Sequence, residues 1–527
     1  MSAQLDKAAS KFKQAVDVLR RLTRCSVQTR MLLLIKCVHA KPLHLLRGVP
    51  PAHGLDFARQ VDDMVAAAVA VFTYNDISYL DRAHPNKARL QLGLPPSYGG
   101  AGLTSLEDTY QAAYVASVAL CLPRLEELPP LTSVCAAANA HSWGSRRPGP
   151  LAEVHKAWYF GTGGPPLASL ERIQKNTQLL GSSGSPSLCK LHLLPTKAQR
   201  ALSRGLADAK WAAAVDEASN PDPLVRTRLV GCKAAGAMDW MRVIPGTDGL
   251  CQLDDFVYSV IFALLFGLPM GAVGPQTTCV PSCHRARSLD GPALLERGWF
   301  FGHHFLICPA GRRLQGVVNL VARHNALSLV FGNMLATEFN FTVDTSKNGN
   351  QYAADDERCV DMSYSMTSGN GSSTAIDFTC VSPWAHEGQA QVSATDFLRA
   401  VGDEEKIKKH AQHVQDQGAN FLPASFSVLG AWGPAVSSWF YGLWKGKIES
   451  AKDRGESAAP IVRKMMWWRG RISVVLMRTN AKMILSRATN QWQPGAELPA
   501  SPAWCADCLL RTSNGLSPTP ASAVWSR

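Results

Sequence analysis

The sequence has no apolar run long enough to cross a bilayer. The longest, Val257–Met270, contains Gly267 and Pro269 and is shorter than the roughly 20 residues that a transmembrane helix needs. Residues 1–41 are polar and basic, and they lack the apolar segment and small-residue cleavage site of a secretory signal. We therefore expect a protein of the nucleus or the cytoplasm that is neither secreted nor bound to a membrane.

The cysteines lack the dense, even spacing of a secreted disulfide scaffold. The 14 thiols are scattered over 527 residues, which favours a reducing compartment with a few thiols available for metal. Charge is unbalanced, because 54 Lys and Arg against 41 Asp and Glu give a net charge of +13. This surplus favours polyanionic partners, nucleic acid first, although a basic surface without a specific partner explains it equally well.

The spacing of apolar residues divides the chain into a helical half and a mixed half. Apolar residues recur at helical spacing in the N-terminal half, whereas β-prone sequence occupies residues 339–381 between helical stretches. The Pro- and Ser-rich end is typical of disorder. These patterns predict two helical regions over 1–160 and 161–270, a loop-rich region over 271–322, an α/β domain over 323–490 and a disordered tail over 491–527.

Two close pairs of potential zinc ligands lie in the loop-rich region. Cys279 and Cys283 are separated by three residues, and so are His304 and Cys308. Two such pairs joined by a loop are typical of a tetrahedral structural zinc site, and closing a flexible loop costs little more as the loop lengthens. The alternative is two buried thiols beside two surface histidines, and the spacing alone does not decide between them.

Two aspartates flank a predicted β-hairpin. The Gly and Asn residues around Asn370 favour a turn, and the flanking residues alternate or run apolar as strands do. A turn centred there sets Asp361 opposite Thr379. Asp377 is then a diagonal neighbour of Asp361, roughly 7–8 Å away at the backbone, so both carboxylates could hold one hard cation. Such a cation polarises a phosphate and activates water in phosphodiester hydrolysis. The alternative is that Asp361 merely ends a strand and that backbone donors satisfy Asp377.

A charged helix follows the hairpin. Lys406, Lys409 and His410 are spaced i, i+3 and i+4, which predicts that they share one helix face. A lysine on this face could stabilise the charge that develops on a scissile phosphate. The alternative is a charged face that only meets solvent.

A basic helix near the C-terminus combines arginines with tryptophans. Arginines beside exposed indoles suit phosphate contact and base stacking, whereas the alternative is that the tryptophans are core residues. With one arginine from an earlier helix, the candidate nucleic-acid contacts are Arg323, Arg463, Lys464, Arg469, Arg471 and Arg478.

Several blocks of the sequence resemble the region downstream of the reverse transcriptase core in non-LTR retrotransposons that carry a restriction-like endonuclease. The blocks are collinear with that region from about residue 15 to about residue 490. They are Leu45–Pro51, Tyr98–Leu103, Gln111–Ser117, Gly236–Trp240, Phe266–Pro269, His304–Gly311, Arg323–Asn325, Ala375–Pro383, Lys406–His410, Gly418–Phe421, Leu429–Gly433, Arg471–Ser473 and Asn480–Ala481.

This resemblance implies a domain identity for each region. By this resemblance, residues 1–160 correspond to a thumb-like region and residues 161–270 to a connector. Residues 271–322 correspond to a zinc knuckle, and residues 323–490 to an endonuclease with a PD-(D/E)xK-like α/β core. It also implies an Mg²⁺-dependent enzyme that nicks target DNA to prime reverse transcription, with element RNA as a further partner. The implied site residues are Asp361 and Asp377 for Mg²⁺, Lys406 or Lys409 for the transition state, and Cys279, Cys283, His304 and Cys308 for structural Zn²⁺.

Three positions depart from the family pattern. Val360 replaces the Pro or Gly expected before the first metal-binding carboxylate, and Thr379 replaces a lysine sometimes found two residues after the second. His410 stands where the family usually has Tyr. The basic role in catalysis therefore falls to the helix lysines.

The polymerase palm is also missing from this sequence, so three hypotheses stay open. The chain is a DNA-nicking endonuclease fragment, or a catalytically inactive nucleic-acid-binding remnant. The third hypothesis is an inert fragment of a decayed element, whose helical half has lost the palm on which it packs. The sequence does not indicate an oligomeric state.

Overall fold

The computed structural model describes residues 2–49, 51–110, 112–114, 116–117, 198–246, 249, 251–270, 306, 320–345, 360–366, 373–385 and 393–490. The predicted zinc ligands Cys279, Cys283, His304 and Cys308 lie outside these residues, as does the predicted tail, so both stay predictions. Within the described ranges, no helix combines the length and the apolarity that crossing a bilayer requires.

The N-terminal half is built from helices. They are α1 (Ser2–Arg21), α2 (Val27–Leu33) with a π-helical continuation (Leu34–Val38), α3 (Ala40–Leu46), α4 (Pro51–Phe72), α5 (Ala88–Gly93), α6 (Ala198–Val215), α7 (Pro223–Lys233) and α8 (Asp255–Phe266). Residues 106–110, 112–114 and 116–117 are also helical. Short 3₁₀ turns span Ile77–Leu80, Pro96–Tyr98 and Asp239–Arg242. The prediction of a mainly helical N-terminal half is confirmed over these residues.

Capping residues set several of these helix ends. The side chain of Ser26 accepts a hydrogen bond from the first turn of α2, and that of Asp222 accepts one from Leu224 N at the start of α7. Each bond satisfies a backbone donor that has no partner inside the helix. Helix α8 ends at Gly267, whose φ of 62° lies in the left-handed region that favours glycine.

The C-terminal half adds a small sheet to its helices. Its elements are α9 (Leu320–Phe339), β1 (Phe341–Asp344), β2 (Met362–Met366), β3 (Thr374–Val381), a 3₁₀ turn (Pro383–Ala385), α10 (residues 394–416), β4 (Asn420–Ser427), α11 (Pro434–Asp453) and α12 (Ala459–Asn490). Helix α10 alternates between α-helical and π-helical turns: Ala394–Phe397, Leu398–Asp403, Glu404–Lys406, Ile407–Ala411 and Gln412–Asp416.

The four strands form one mixed sheet in the order β1-β2-β3-β4. Strands β1, β2 and β3 are antiparallel, and β4 pairs parallel with β3. The predicted hairpin is therefore confirmed as β2 and β3. Strand β4 was not predicted, because Pro423 interrupts its apolar run and a proline normally argues against a strand. Here β4 is an edge strand, where the missing N–H of proline costs little.

Side chains alternate between the two faces of this sheet. Ile376 and Phe378 on β3 face a core formed with α9, α11 and the first half of α12. Their neighbours on β3 face the other way, toward α10. Asp377 therefore lies beneath α10 rather than in the aromatic core.

Helix α12 links this sheet to the helical half. Trp468, Ile472 and Leu476 pack in the sheet core, whereas Met477, Ile484 and other residues further along the helix pack with α1, α4 and α8. One long helix therefore contributes to both hydrophobic cores.

Candidate active site

Asp377 lies on β3, and Asp361 directly precedes β2. Met362 pairs with Ile376, and the amide of Asp361 donates to the carbonyl oxygen of the same Ile376. The turn is centred one residue earlier than expected, so Met362 lies opposite Ile376 and not opposite Phe378. The predicted diagonal relation of the two aspartates stays a prediction, because Asp361 lies outside the paired residues of β2. Asp361 is one of the neighbours that lower the pKa of Asp377.

Asp361 is held by the backbone of the opposite strand. Its amide donates to Ile376 O at 3.0 Å, and its Oδ2 accepts a hydrogen bond from Phe378 N at 2.7 Å. Nδ1 of His324, near the start of α9, lies 3.7 Å from the same Oδ2. The His324 side chain is 27% exposed, whereas that of Asp361 is 9% exposed.

Helix α10 brings two side-chain nitrogens close to the carboxylate of Asp377. Nζ of Lys406 lies 2.6 Å from Asp377 Oδ2, and Nε2 of His410 lies 3.2 Å from the same oxygen. His410 is 3% exposed and packs against Phe421 of β4, whereas the Lys406 side chain is 22% exposed. Lys406 ends a short α-helical turn and His410 lies in the π-helical turn that follows. Such π turns occur often at functional sites.

These neighbours control the charge of Asp377. Burial alone raises the pKa of this carboxyl, but the contact with His410 and the charge of Lys406 outweigh burial. The pKa of Asp377 is therefore well below its usual value of 3.8, and the group is ionised at neutral pH. Although the two nitrogens are close, neither meets Oδ2 along a hydrogen-bond direction, so Oδ2 is a buried acceptor without a directed bond. A buried oxygen in that condition suits a bound cation.

The residues present fit a hard divalent cation. Mg²⁺ is usually bound through one or two carboxylates and otherwise through water and substrate phosphate. Asp361 and Asp377 supply the two carboxylates. Over the described part of the chain, no group of three or more His, Cys, Asp or Glu side chains is arranged to hold a metal. Water and a substrate would have to complete the coordination.

The structure distinguishes between the two predicted lysines. Lys406 contacts Asp377, whereas Lys409 is exposed on α10. The expected single face of Lys406, Lys409 and His410 assumed an unbroken α-helix, and the π-helical turn at Ile407–Ala411 changes how residues are distributed around the axis. The lysine positioned for the candidate site is therefore Lys406.

Arg323 lies in the interior rather than on a surface. It is 1% exposed, and its guanidinium donates to Asn480 Oδ1 at 3.0 Å and to Cys380 O at 3.4 Å. It joins α9 to α12 and β3. The structure thus gives Arg323 a packing role and offers no surface for the nucleic-acid contact that the sequence predicts.

The other predicted basic contacts divide into two groups. Lys464 binds Glu338, Arg469 binds Asp239, and Arg478 donates to the carbonyl oxygens of Gly249 and Gln252. Arg463 is exposed, and the guanidinium of Arg471 lies over two indole rings. Arg463 and Lys464 are exposed, whereas Arg469 and Arg471 are partly buried.

Two histidines join the candidate site without a role assigned from the sequence. His410 was predicted on the helix face of Lys406 and as a replacement for Tyr, and His324 was named only as part of a sequence block. Their signal was sequence position alone, because the contacts depend on how α9 and α10 pack on the sheet.

Comparison with known proteins does not identify a family: no family model matches the chain, and no curated protein matches it.

Proposed function

We propose that this chain contains a divalent-metal-dependent endonuclease that nicks DNA, derived from a non-LTR retrotransposon of the kind that its sequence resembles. The observation that carries the proposal is the ion pair between Lys406 and the buried Asp377, with Asp361 as a neighbouring carboxylate. Two carboxylates and a lysine supply the cation binding and the positive charge that phosphodiester hydrolysis needs.

The position of these residues in the fold also supports the proposal. Asp377 lies on β3 and Asp361 directly precedes the adjacent strand β2, in the middle of a mixed sheet, and the lysine comes from the helix between β3 and β4. Helices cover both sheet faces. This is the type of α/β core expected of a PD-(D/E)xK-like nuclease.

Each residue has a distinct role in the proposed reaction. A bound divalent ion would polarise the phosphate and activate water. Asp361 and Asp377 would hold this ion through their carboxylate oxygens. His410 positions Asp377 from its buried side, since Nε2 lies 3.2 Å from Oδ2. Lys406 is partly exposed and can turn from Asp377 to a phosphate oxygen, where it stabilises developing negative charge.

A plasmid-nicking assay tests the proposal. We expect the full chain to nick supercoiled plasmid with Mg²⁺ and not with EDTA. Asp377→Ala should lower the rate by at least about 100-fold while DNA binding survives. Asp62→Asn is the matched control, because Asp62 is also a buried carboxyl but lies in the helical half. Equal loss of nicking in both variants would contradict the proposal.

A catalytically inactive nucleic-acid-binding remnant is the second candidate, and one observation favours it. Lys406 already neutralises Asp377, so the carboxylate needs no metal for compensation. A folded protein that binds DNA with a steep salt dependence, but does not nick it with Mg²⁺, would identify this remnant.

A further inference from the structure

Helix α12 is uniformly basic. Its sequence contains seven Lys and Arg residues and neither Asp nor Glu. Lys464, Arg469 and Arg478 make contacts with α9 or with the helical half. Of the other four basic residues, Arg463 and Arg471 lie in the first half of the helix.

Three side chains there form a stripe along one face of α12. Arg463, Trp467 and Arg471 are spaced i, i+4 and i+8, so they follow one another at intervals of about 6 Å. Trp467 is 41% exposed, and Met466 and Val462 beside it are 41% and 38% exposed. We call Arg463, Trp467 and Arg471 the arginine–tryptophan stripe.

The exposed indole is held in a fixed orientation. Trp467 stands at 79° to the ring of Trp468, with centroids 4.9 Å apart. Trp468 is buried and donates from Nε1 to Glu338 Oε1 at 2.9 Å. The guanidinium of Arg471 lies 4.9 Å from the centre of Trp467 and 4.8 Å from that of Trp468. An exposed tryptophan with such fixed neighbours is a preformed stacking surface, because little side-chain entropy remains to be lost on binding.

We propose that the arginine–tryptophan stripe binds single-stranded nucleic acid, with a base on Trp467 and the flanking phosphates on Arg463 and Arg471. Single strands expose the faces of their bases, whereas a duplex hides them in its stack. The positive charge on both sides of the indole matches a polyanion. An acidic protein could satisfy the arginines, but it would not explain an aromatic ring between them.

The stripe and the candidate active site lie at opposite ends of one helix pair. Arg323 of α9 bonds Asn480 of α12, and Glu338 of α9 bonds Lys464, so the two helices run antiparallel. His324, which contacts Asp361, precedes Glu338 by 14 residues, or about 21 Å of helix rise. The binding itself does not depend on cleavage.

The test is fluorescence anisotropy with the full chain in EDTA. The probes are labelled oligo-dT, oligo-U and a duplex of equal length. We expect Trp467→Ala to weaken oligonucleotide binding about tenfold and to change duplex binding little, whereas Trp467→Phe retains most of the affinity. Loss of Arg463 or Arg471 should reduce the salt slope for single strands by about one each. The DNA and RNA probes show which single strand is preferred.

Lys445→Ala is the matched control, because Lys445 is exposed on α11 and lies outside the stripe. Circular dichroism of each variant establishes that it is folded. Absence of single-strand binding, or an equal effect of Trp467→Ala and Lys445→Ala, would overturn the proposal. So would binding to anionic phospholipid vesicles that depends on Trp467 when oligonucleotide binding does not. Asp377→Ala should bind oligo-dT normally, which separates this proposal from the proposed catalysis.

Discussion

The helical half and the sheet each bury one aspartate, and the two carboxyls behave in opposite ways. Asp62 is 6% exposed and Asp377 is 4% exposed. Burial raises the pKa of Asp62 to about 6 despite hydrogen bonds from Leu106 N and the Ser105 hydroxyl. In contrast, the contacts with His410 and Lys406 overcome burial at Asp377, and its pKa falls well below 3.8.

This difference shows what distinguishes a structural from a candidate catalytic carboxyl. Asp62 accepts backbone hydrogen bonds at the start of the helix that begins near residue 106, which is the role of a capping residue. Asp377 has a second carboxyl, a lysine and a histidine as neighbours. Burial is common to both sites, so the charged neighbours, and not the burial, indicate function.

Removing the positive charge of Lys406 beside Asp377 should have the largest effect on the free energy of unfolding. In Lys406→Met the buried carboxylate keeps only His410 as a compensating neighbour. We expect a loss of about 3 kcal/mol in the free energy of unfolding, measured by urea denaturation with EDTA present. The double variant Lys406→Met/Asp377→Asn should recover part of this loss. No recovery would mean that Lys406 stabilises the fold by packing and not by charge.

The same substitution at both aspartates should change stability in opposite directions. At pH 7, Asp377→Asn removes the charge that compensates Lys406, and we expect a loss of about 2 kcal/mol. Asp62→Asn keeps an acceptor for Leu106 N but removes a poorly solvated charge, so we expect a gain of about 1 kcal/mol. Urea denaturation of both variants and of the unsubstituted protein gives the sign of each change in the free energy of unfolding. Two losses of equal size would contradict the contrast between Asp62 and Asp377.

The proximity of the two aspartates could be predicted because a hairpin is a local structure. A turn misplaced by one residue shifts the register by two positions, which leaves the same side chains of β2 and β3 on each sheet face. Their cationic neighbour was predicted only as one of two lysines. The π-helical turn that follows Lys406 has no sequence signal that we identified, and it separates Lys406 from Lys409.

Exposure on α12 could not be predicted in the same way. The sequence shows that arginines and tryptophans are clustered on this helix, but tertiary contacts decide which of them face solvent. Trp467 and Trp468 are adjacent, yet the first is 41% exposed and the second 3%. Strand β4 was missed for a related reason: only its position at the sheet edge makes Pro423 acceptable.

The pH dependence of stability should separate the two aspartates further. The folded-state pKa of Asp377 lies below 3.8, so its contribution is present above about pH 4 and is lost as the pH falls through the folded pKa. The pKa of Asp62 lies near 6, so the folded state is most favoured at low pH and loses stability as the pH rises from about 4 to 6. Each effect is at most about 1.4 kcal/mol per pH unit. Urea denaturation from pH 3 to 7 measures this pH dependence, from the midpoint of each Asp→Asn variant relative to that of the unsubstituted protein.

The smallest effect is expected at Lys409. This lysine is exposed on α10, so Lys409→Met should change the free energy of unfolding by no more than about 0.5 kcal/mol. The plasmid-nicking rate should also stay close to that of the unsubstituted protein, while Lys406→Met lowers it. The two variants lose the same charge from the same helix and differ only in distance from Asp377. If Lys409→Met were the more damaging of the two, the catalytic lysine would be Lys409, and helix α10 would have to turn on its axis when DNA binds.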